Sequence, residues 1–545
     1  MATPYQDPSS YPFSEHTKRT QGREAQRMNI AAAKLVAETI RTTLGPKGMD
    51  KMLVDDEGSV IVTNDGLTIL EEMQLEHPAA RMLVEIAKTQ EDEIGDGTTT
   101  AVVLAGELLK QAETLLEQDV HPTIITKGFR IANKKAQELL SGMAEHLGQN
   151  QDATLHAIAL TAMTGKGAEA SKEHLASIVV GAARAVMGSE KTSNPHATTT
   201  SRTLKECLNN IKIVSIPGGS VNESTLVQGI VLEKERVHPS MPNNIKDARI
   251  ALLDIALEVP SMETNAKVSI TSPENLQDFL SMEERHVQKL VNDISASGAN
   301  VVLCQKGIDN LAQYFLAQQG ILAVRRVPKT DMERVARATD ATIVSSTKDL
   351  NKKTLGKAGM TREQSFGDHA FLFIEACTHP QAVTILIRGG TEHVTSEVRR
   401  AVQDSLGDVL AAHTSQQIVP GAGAIEVELY HHLLEFAKTL TGRERLAVEA
   451  FAKAILIIPR TLAENAGLDP IDTITTLTAA HTPPNKNKNA GINIETGTLI
   501  DARKHGIIEP LKIKTQALNS ATEVTTLLLR IDDVIARGKK EDRPR

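Results

Sequence analysis

Apolar positions from residue 23 to about residue 140 recur at helical spacing. Val36, Ile40 and Leu44 fall on one face, and Gly45-Pro46 predicts the stop of that helix. The β-branched run Val60-Ile61-Val62 predicts a strand leading into Thr63-Asn64-Asp65-Gly66, turn chemistry that puts Asp65 at a loop tip. Val102, Val103, Leu108, Leu109, Ala112, Leu115 and Leu116 form a broad apolar stripe and predict a helix over Ala101 to Leu116. From about Ile211 to Phe373 short apolar runs such as Ile250 to Ile255, Val301 to Leu303 and Ile321 to Val324 alternate with helical patterns. That texture predicts an α/β or α+β module. Long helical patterns then return in Val394 to Ala412, Val427 to Leu440 and Leu446 to Ile457. Similar ends around a different middle imply an insertion, with the two ends folding as one domain.

The segment Gly95-Asp96-Gly97-Thr98-Thr99-Thr100 precedes the strongest of these helices. Glycines let the backbone turn sharply and let phosphate oxygens approach main-chain N–H groups. The threonines fall in the first helical turn, where unpaired N–H groups and the positive end of the helix dipole favour anions. A carboxylate at Asp96 repels phosphate, so its natural partner is a magnesium ion bridging to the phosphates. Equally open on these residues alone is a glycine-rich turn with Asp96 as an ordinary helix cap. Leu44-Gly45-Pro46-Lys47-Gly48 and Thr164-Gly165-Lys166-Gly167 could also meet phosphate, but taken singly they read as a helix stop and a surface turn, and Asp404 reads as a solvated helix position.

Composition narrows the class. The 545 residues have ample length for several domains, and a net charge of −8 without a basic stripe argues against a nucleic-acid partner. Three widely separated cysteines, Cys207, Cys304 and Cys377, fit structural thiols better than a disulfide framework or zinc site. No apolar run is long enough to cross a bilayer, and the polar start lacks a signal-like stretch, so a cytoplasmic protein without a membrane partner is expected. Aromatics are only 2% with no Trp, which leaves the core to Ala, Val, Ile and Leu in helix-rich packing. No Walker-type Gly-Lys-Ser/Thr loop is present to suggest a kinase.

Several dispersed motifs together resemble the group II chaperonins, the archaeal thermosome and the eukaryotic cytosolic chaperonin. They run from Gly22-Arg23-Glu24-Ala25-Gln26-Arg27-Met28-Asn29-Ile30 and Leu44 to Met52, through Thr63 to Gly66 and Gly95 to Thr100, to Gly218-Gly219-Ser220. They continue in Ile387-Arg388-Gly389-Gly390-Thr391-Glu392, Pro459 to Asp469, and Leu529-Arg530-Ile531-Asp532-Asp533. The resemblance implies a multidomain chaperonin fold. Its parts are a mainly α equatorial domain (1–145 with 405–545), an α/β intermediate domain (146–214 with 370–404) and an α/β apical domain (215–369) with a helical protrusion. The protrusion is expected near Ser261 to Ile294. There Leu276, Phe279, Leu280, Val287 and Leu290 line a helix whose C-terminal half reads as buried, while Met262, Val268 and Ile270 are candidates for lid contacts.

The resemblance also implies an ATPase with ATP and Mg2+ as cofactors, homo- or hetero-oligomeric double rings, and non-native polypeptide clients. Residue by residue, Leu44, Gly45 and Pro46 contact the nucleotide through backbone, Asp96 holds magnesium, and Gly97, Thr98, Thr99 and Thr100 bind phosphates. Lys166 senses the nucleotide, Asp404 orients the attacking water with Asp65 assisting, and Ala422 and Asn493 flank the nucleoside. Three positions depart from the family's pattern. Ala422 replaces the middle glycine of a glycine-rich run, Gln416 replaces a turn glycine, and Lys504 stands where the resemblance expects a ribose-binding acid. Such losses cost roughly 1 to 3 kcal/mol, about 5- to 150-fold in affinity. Two functions follow: an ATP-driven foldase subunit, or a structural or specialised subunit of a mixed ring with weak nucleotide use.

Overall fold

The computed structural model describes residues 17–148, 151–187, 204–259, 273–377, 380–483 and 487–537. Met262, Val268 and Ile270 lie outside the described residues, as do the side chains of Leu276, Phe279 and Leu280. The chain clusters into two compact units, one of Met1–Lys166 with Ala411–Arg545 and one of Gly167–Leu410. The first is therefore discontinuous and the second is inserted into it.

The discontinuous unit is helical. Helices Gly22–Arg41, Pro78–Glu93, Thr98–Glu117, Pro122–Met143, Ala424–Lys438, Arg443–Ile455 and Leu511–Leu528 share one core. Thr98–Glu117 lies at its centre, buried from Ala101 through Leu115 along the stripe the sequence marks. The shortage of aromatics is met with alanine, and Phe129 against Phe451, edge to face at 5.7 Å, is the core's aromatic pair. The first helix ends at Arg41 with Thr42 as its C-cap, so Leu44 lies beyond the helix in the following loop. That corrects the expectation that Gly45-Pro46 stops the helix: the chain turns three residues earlier, and Leu44 packs against the core from the loop.

Small sheets frame the rest of this unit. Val60–Thr63 pairs antiparallel with Lys51–Val54 and delivers Asp65 just past the strand end. Gln417–Pro420 lies between Ile508–Pro510 and Glu145–His146. Ala490–Ile492 pairs with Leu499–Asp501 as a hairpin.

The inserted unit is α/β. Its larger sheet runs in the order Leu322–Val324, Val301–Cys304, Asn244–Leu253, Gly356–Phe366, His369–Glu375, Ile230–Leu232, with parallel pairing among the first three strands. A smaller sheet joins Ile211–Pro217, Val383–Gly389 and Thr225–Val227. The helix Pro273–Ser297 packs its C-terminal half on the larger sheet, where Val287 is buried and Leu290 half-buried, as the sequence expects. All three cysteines are free and buried. Burial pushes the Cys304 and Cys377 thiols up to about 11, which suits inert structural thiols. Among the described residues no helix is long and apolar enough to cross a membrane.

Candidate functional site

Gly97 is the N-cap of Thr98–Glu117, and no side chain caps the helix. Asp96 is not its cap: the Asp96 carboxylate accepts from the adjacent Gly97 N–H at 2.7 Å. The ordinary-cap reading of Asp96 therefore fails, and the first-turn N–H groups of Thr98, Thr99 and Thr100 receive no capping side chain. Gly97 is held at φ 80°, and a Cβ there would come within 2.7 Å of Ile513 and 3.0 Å of the Gln90 amide nitrogen. Conformation and space both demand glycine. Beneath the loop, fully buried Gln90 donates from Nε2 to the Asp96 carbonyl at 2.9 Å.

Three further loops close on this turn within the same unit. Gly66 abuts Thr99, so the Asn64-Asp65-Gly66 turn sits beside the helix start. Asn64 donates to the Gly165 carbonyl at 3.2 Å, and Gly165, at φ 80°, packs so tightly on the Pro46 backbone that any side chain would overlap it. Asn465 donates to the Leu44 carbonyl at 2.8 Å and to that of Arg41 at 3.1 Å, fixing the Leu44-Gly45-Pro46 loop. Lys166 Nζ then lies 3.6 Å from Asp96 Oδ1. Leu44, Gly45, Pro46, Asp65, Asp96, Gly97, the three threonines and Lys166, far apart in sequence, are thereby gathered at one helix N-terminus.

Asp65 has a structural task as well. It caps the helix Gly66–Glu72, with Oδ2 accepting from the Thr68 N–H and hydroxyl at 2.9 and 2.6 Å and Oδ1 from the Leu67 N–H at 3.3 Å. Asp404 lies on the helix Glu392–Ser415 and is only 9% exposed, so it is not the solvated position its sequence context allows. It belongs to the inserted unit. Among the described residues no group of three or more His, Cys, Asp or Glu side chains is arranged to hold a metal. A single carboxylate such as Asp96 could serve a magnesium ion that takes its other ligands from phosphate and water, as that ion commonly does.

A second group lies where Pro420-Gly421-Ala422-Gly423 enters the helix Ala424–Lys438. Ala422 adopts φ 56°, the left-handed region that glycine favours, and Gln416 does the same at φ 55°. Both positions where the sequence lacks an expected glycine are thus left-handed. The Ile492 N–H donates to the Ala422 carbonyl at 3.0 Å, which brings Asn493 to the same turn. Asn493 Oδ1 accepts from the Glu495 N–H at 2.9 Å.

Lys504 does not face this turn. Its side chain is 81% exposed and lies 3.6 Å from Asp501. The acid that does face the turn is Glu509, with Oε1 2.8 Å from where a Gly421 Cβ would stand. Strand pairing explains the difference: Glu509 is opposite Val419 in the Gln417–Pro420 ladder, whereas Lys504 sits in the loop before it. Glu509 Oε2 meets Lys514 Nζ at 2.6 Å, and Lys514 also meets Glu426 at 2.9 Å. Burial, then Glu426 and Asp96, push the Glu509 pKa up, while Lys514 opposes them. Thr100, Glu426 and Lys514 line one cavity.

The model of the TCP-1/cpn60 chaperonin family matches residues 36–539. The chain belongs to that family. It is 53% identical over 522 residues to the thermosome subunit beta of Archaeoglobus fulgidus, covering 96% of this chain and 94% of the relative. A thermosome subunit of Methanopyrus kandleri is 54% identical over the same shares, and one of Pyrococcus horikoshii is 51% identical over 97% and 94%. These similarities place the chain among the group II chaperonins.

Sequence reasoning missed three residues of this chaperonin's site: Gln90, Glu509 and Lys514. Gln90 left a signal, a polar residue in register with Ala79, Leu83, Ile86 and Ala87 on a buried helix face. Lys514 left a similar one among Leu511, Ile513, Ala517 and Leu518. Glu509 left none, because only strand register turns it toward Gly421.

Proposed function

We propose that this chain is an ATP-hydrolysing chaperone subunit of a double ring that encloses non-native polypeptide. The supporting observation is the convergence of four loops on an uncapped helix N-terminus, with Asp96 and Lys166 beside it. Three-domain architecture is part of the proposal. The discontinuous unit holds the proposed equatorial residues except 405–410 together with 146–166 of the proposed intermediate domain, and the inserted unit holds the rest of the intermediate domain with the apical domain.

In this reading the N–H groups and hydroxyls of Thr98, Thr99 and Thr100 bind phosphate oxygens, with Gly97 shaping the turn. Asp96 is the protein ligand for Mg2+, which when bound neutralises developing charge on the phosphates. Lys166 adds a mobile ammonium at the same end. Leu44, Gly45, Pro46, Ala422 and Asn493 line the remainder of the nucleotide, with Glu509 at the Gly421 turn. Asp404 orients the attacking water, and Asp65 assists through Oδ1, whose hydrogen bond to Leu67 is the longer and weaker of its contacts. The Asp404 assignment rests on resemblance to the family.

Steady-state ATP hydrolysis by the purified assembly, parent against Asp404→Ala, tests the proposal. A fall of about 10²-fold or more with nucleotide binding retained is expected. Parent turnover no higher than the variant's would remove the motor. The left-handed Ala422 and Gln416 then favour the second reading, a specialised subunit of a mixed ring with weak nucleotide use.

A further inference from the structure

We propose that His481 is a positioning residue: it clamps the strand Ala490–Ile492 onto the helix Ala424–Lys438 and so fixes the nucleoside side of the site, an inference that rests on the nucleotide reading above. His481 is the C-cap of the helix Pro470–Ala480, and its side chain is fully buried. Its Nε2 lies 2.9 Å from the Ala490 carbonyl and its Nδ1 2.8 Å from Glu428 Oε2. One ring therefore ties two elements of the site together. The helix begins at Gly423, and a Cβ at Gly491 would stand 2.8 Å from that of Ala422, so strand and turn are in close contact. The Ile492 N–H bond to the Ala422 carbonyl then sets where Asn493 lies.

The protons follow from the partners. A carbonyl oxygen only accepts, so Nε2 carries a hydrogen and donates to Ala490. Nδ1 then either donates to the Glu428 carboxylate as an imidazolium or accepts from a protonated Glu428. Both descriptions hold the same number of protons. The other Glu428 oxygen lies 3.2 Å from His432 Nε2. His431, which bonds the Thr478 carbonyl at 3.2 Å, is the further titratable group at this pair. Because Asp96, the threonines and Lys166 are held by other loops, the clamp acts on the nucleoside end and leaves the phosphate end alone.

The test is binding of Mg·ADP and of magnesium tripolyphosphate to the full-length assembly, for the parent, His481→Leu and His481→Gln. Removing both buried contacts in His481→Leu is expected to weaken ADP about tenfold or more, with tripolyphosphate affinity unchanged. His481→Gln, which keeps one donor, should fall between them. Unchanged tripolyphosphate binding also certifies that a variant is folded. If the parent binds both ligands and the variants match it for ADP, or lose both ligands equally, the clamp is overturned while the site reading stands. If the parent binds neither ligand, the nucleotide reading fails and the clamp fails with it.

Discussion

Replacing Gly97 with alanine is the sharpest perturbation of the candidate phosphate turn, because the structure supplies two separate costs. At φ 80° an L-residue other than glycine pays about 1 to 2 kcal/mol. The new methyl would also stand 2.7 Å from Ile513 Cγ2 and 3.0 Å from Gln90 Nε2. Easing such a contact in a packed core costs about 1 to 3 kcal/mol. Reduced freedom of the unfolded chain returns roughly 0.4 to 1 kcal/mol. The balance is near 3 kcal/mol of destabilisation. Gln90 holds the Asp96 carbonyl, so a displaced amide moves the carboxylate as well as the helix start. If the loop yields locally, Mg·ADP affinity should fall about 100-fold with little change in thermal unfolding. If the loop holds, unfolding should shift by several degrees instead. Isothermal titration and differential scanning calorimetry read the two outcomes. Gly97→Asn separates the causes, since asparagine tolerates the left-handed region but keeps the added Cβ. Affinity within twofold of the parent together with an unchanged unfolding temperature in Gly97→Ala would refute the reasoning.

Ala422→Gly removes a left-handed alanine, a relief of roughly 1 kcal/mol that the greater freedom of the unfolded chain nearly offsets. Stability by urea unfolding should stay within about 0.5 kcal/mol, while loss of the crowding methyl should tighten ADP binding several-fold by titration. Unchanged affinity would remove Ala422 as a reason for weak nucleotide use. Lys514→Met strands Glu426 and Glu509, and breaking a buried pair in this way should cost about 3 to 5 kcal/mol at neutral pH. Glu509 already has a raised pKa, so its ionisation weighs against the folded state as pH rises and the penalty is relieved as pH falls. The stability gap between Lys514→Met and parent should therefore narrow from pH 7.5 to pH 5, and a gap that widens on acidification would contradict the assignment.

Local chemistry made much of this protein legible before its fold was seen. The apolar stripe from Val102 to Leu116 is a buried helix, and the threonines fall in its first turn because the glycine before them cannot continue it. The strand Val60–Thr63 and the Asp65 tip follow from β-branching and turn residues. What periodicity could not supply was convergence. Nothing in the residues around Gly165 says that Pro46 and Asn64 pack on it, since those contacts depend on how separate helices stack. The end of the first helix was misplaced for a related reason: Leu44 keeps the helical period but reaches the core from a loop. Glu509 is turned toward Gly421 by strand pairing while Lys504 lies in the turn before that strand, and such pairing is set by tertiary structure.

The departures from the family's pattern gain a common location once they are placed in the fold. Gln416 immediately precedes the strand Gln417–Pro420, and Ala422 follows it by two residues, so these two left-handed departures bracket one strand. That strand is paired with Ile508–Pro510, which carries Glu509, and with Glu145–His146. At about 1 kcal/mol each, the strain amounts to roughly 2 kcal/mol stored around Glu509 and the Gly421 turn. The phosphate end carries no comparable cost, because glycines, Gly45, Gly95, Gly97 and Gly165, occupy its left-handed positions. Strain confined to the nucleoside side is paid in bound and free protein alike unless the ligand moves the strand. Its consequence is therefore a choice between two measurable patterns. A rigid strand leaves KM governed by crowding at Ala422, and kcat by the phosphate end. A strand that shifts on binding releases the strain, and Gln416→Gly, which touches no proposed ligand contact, would then change nucleotide affinity as much as Ala422→Gly. Equal effects from the two substitutions mean that the frame moves; an effect from Ala422→Gly alone means that the methyl group itself is the obstacle.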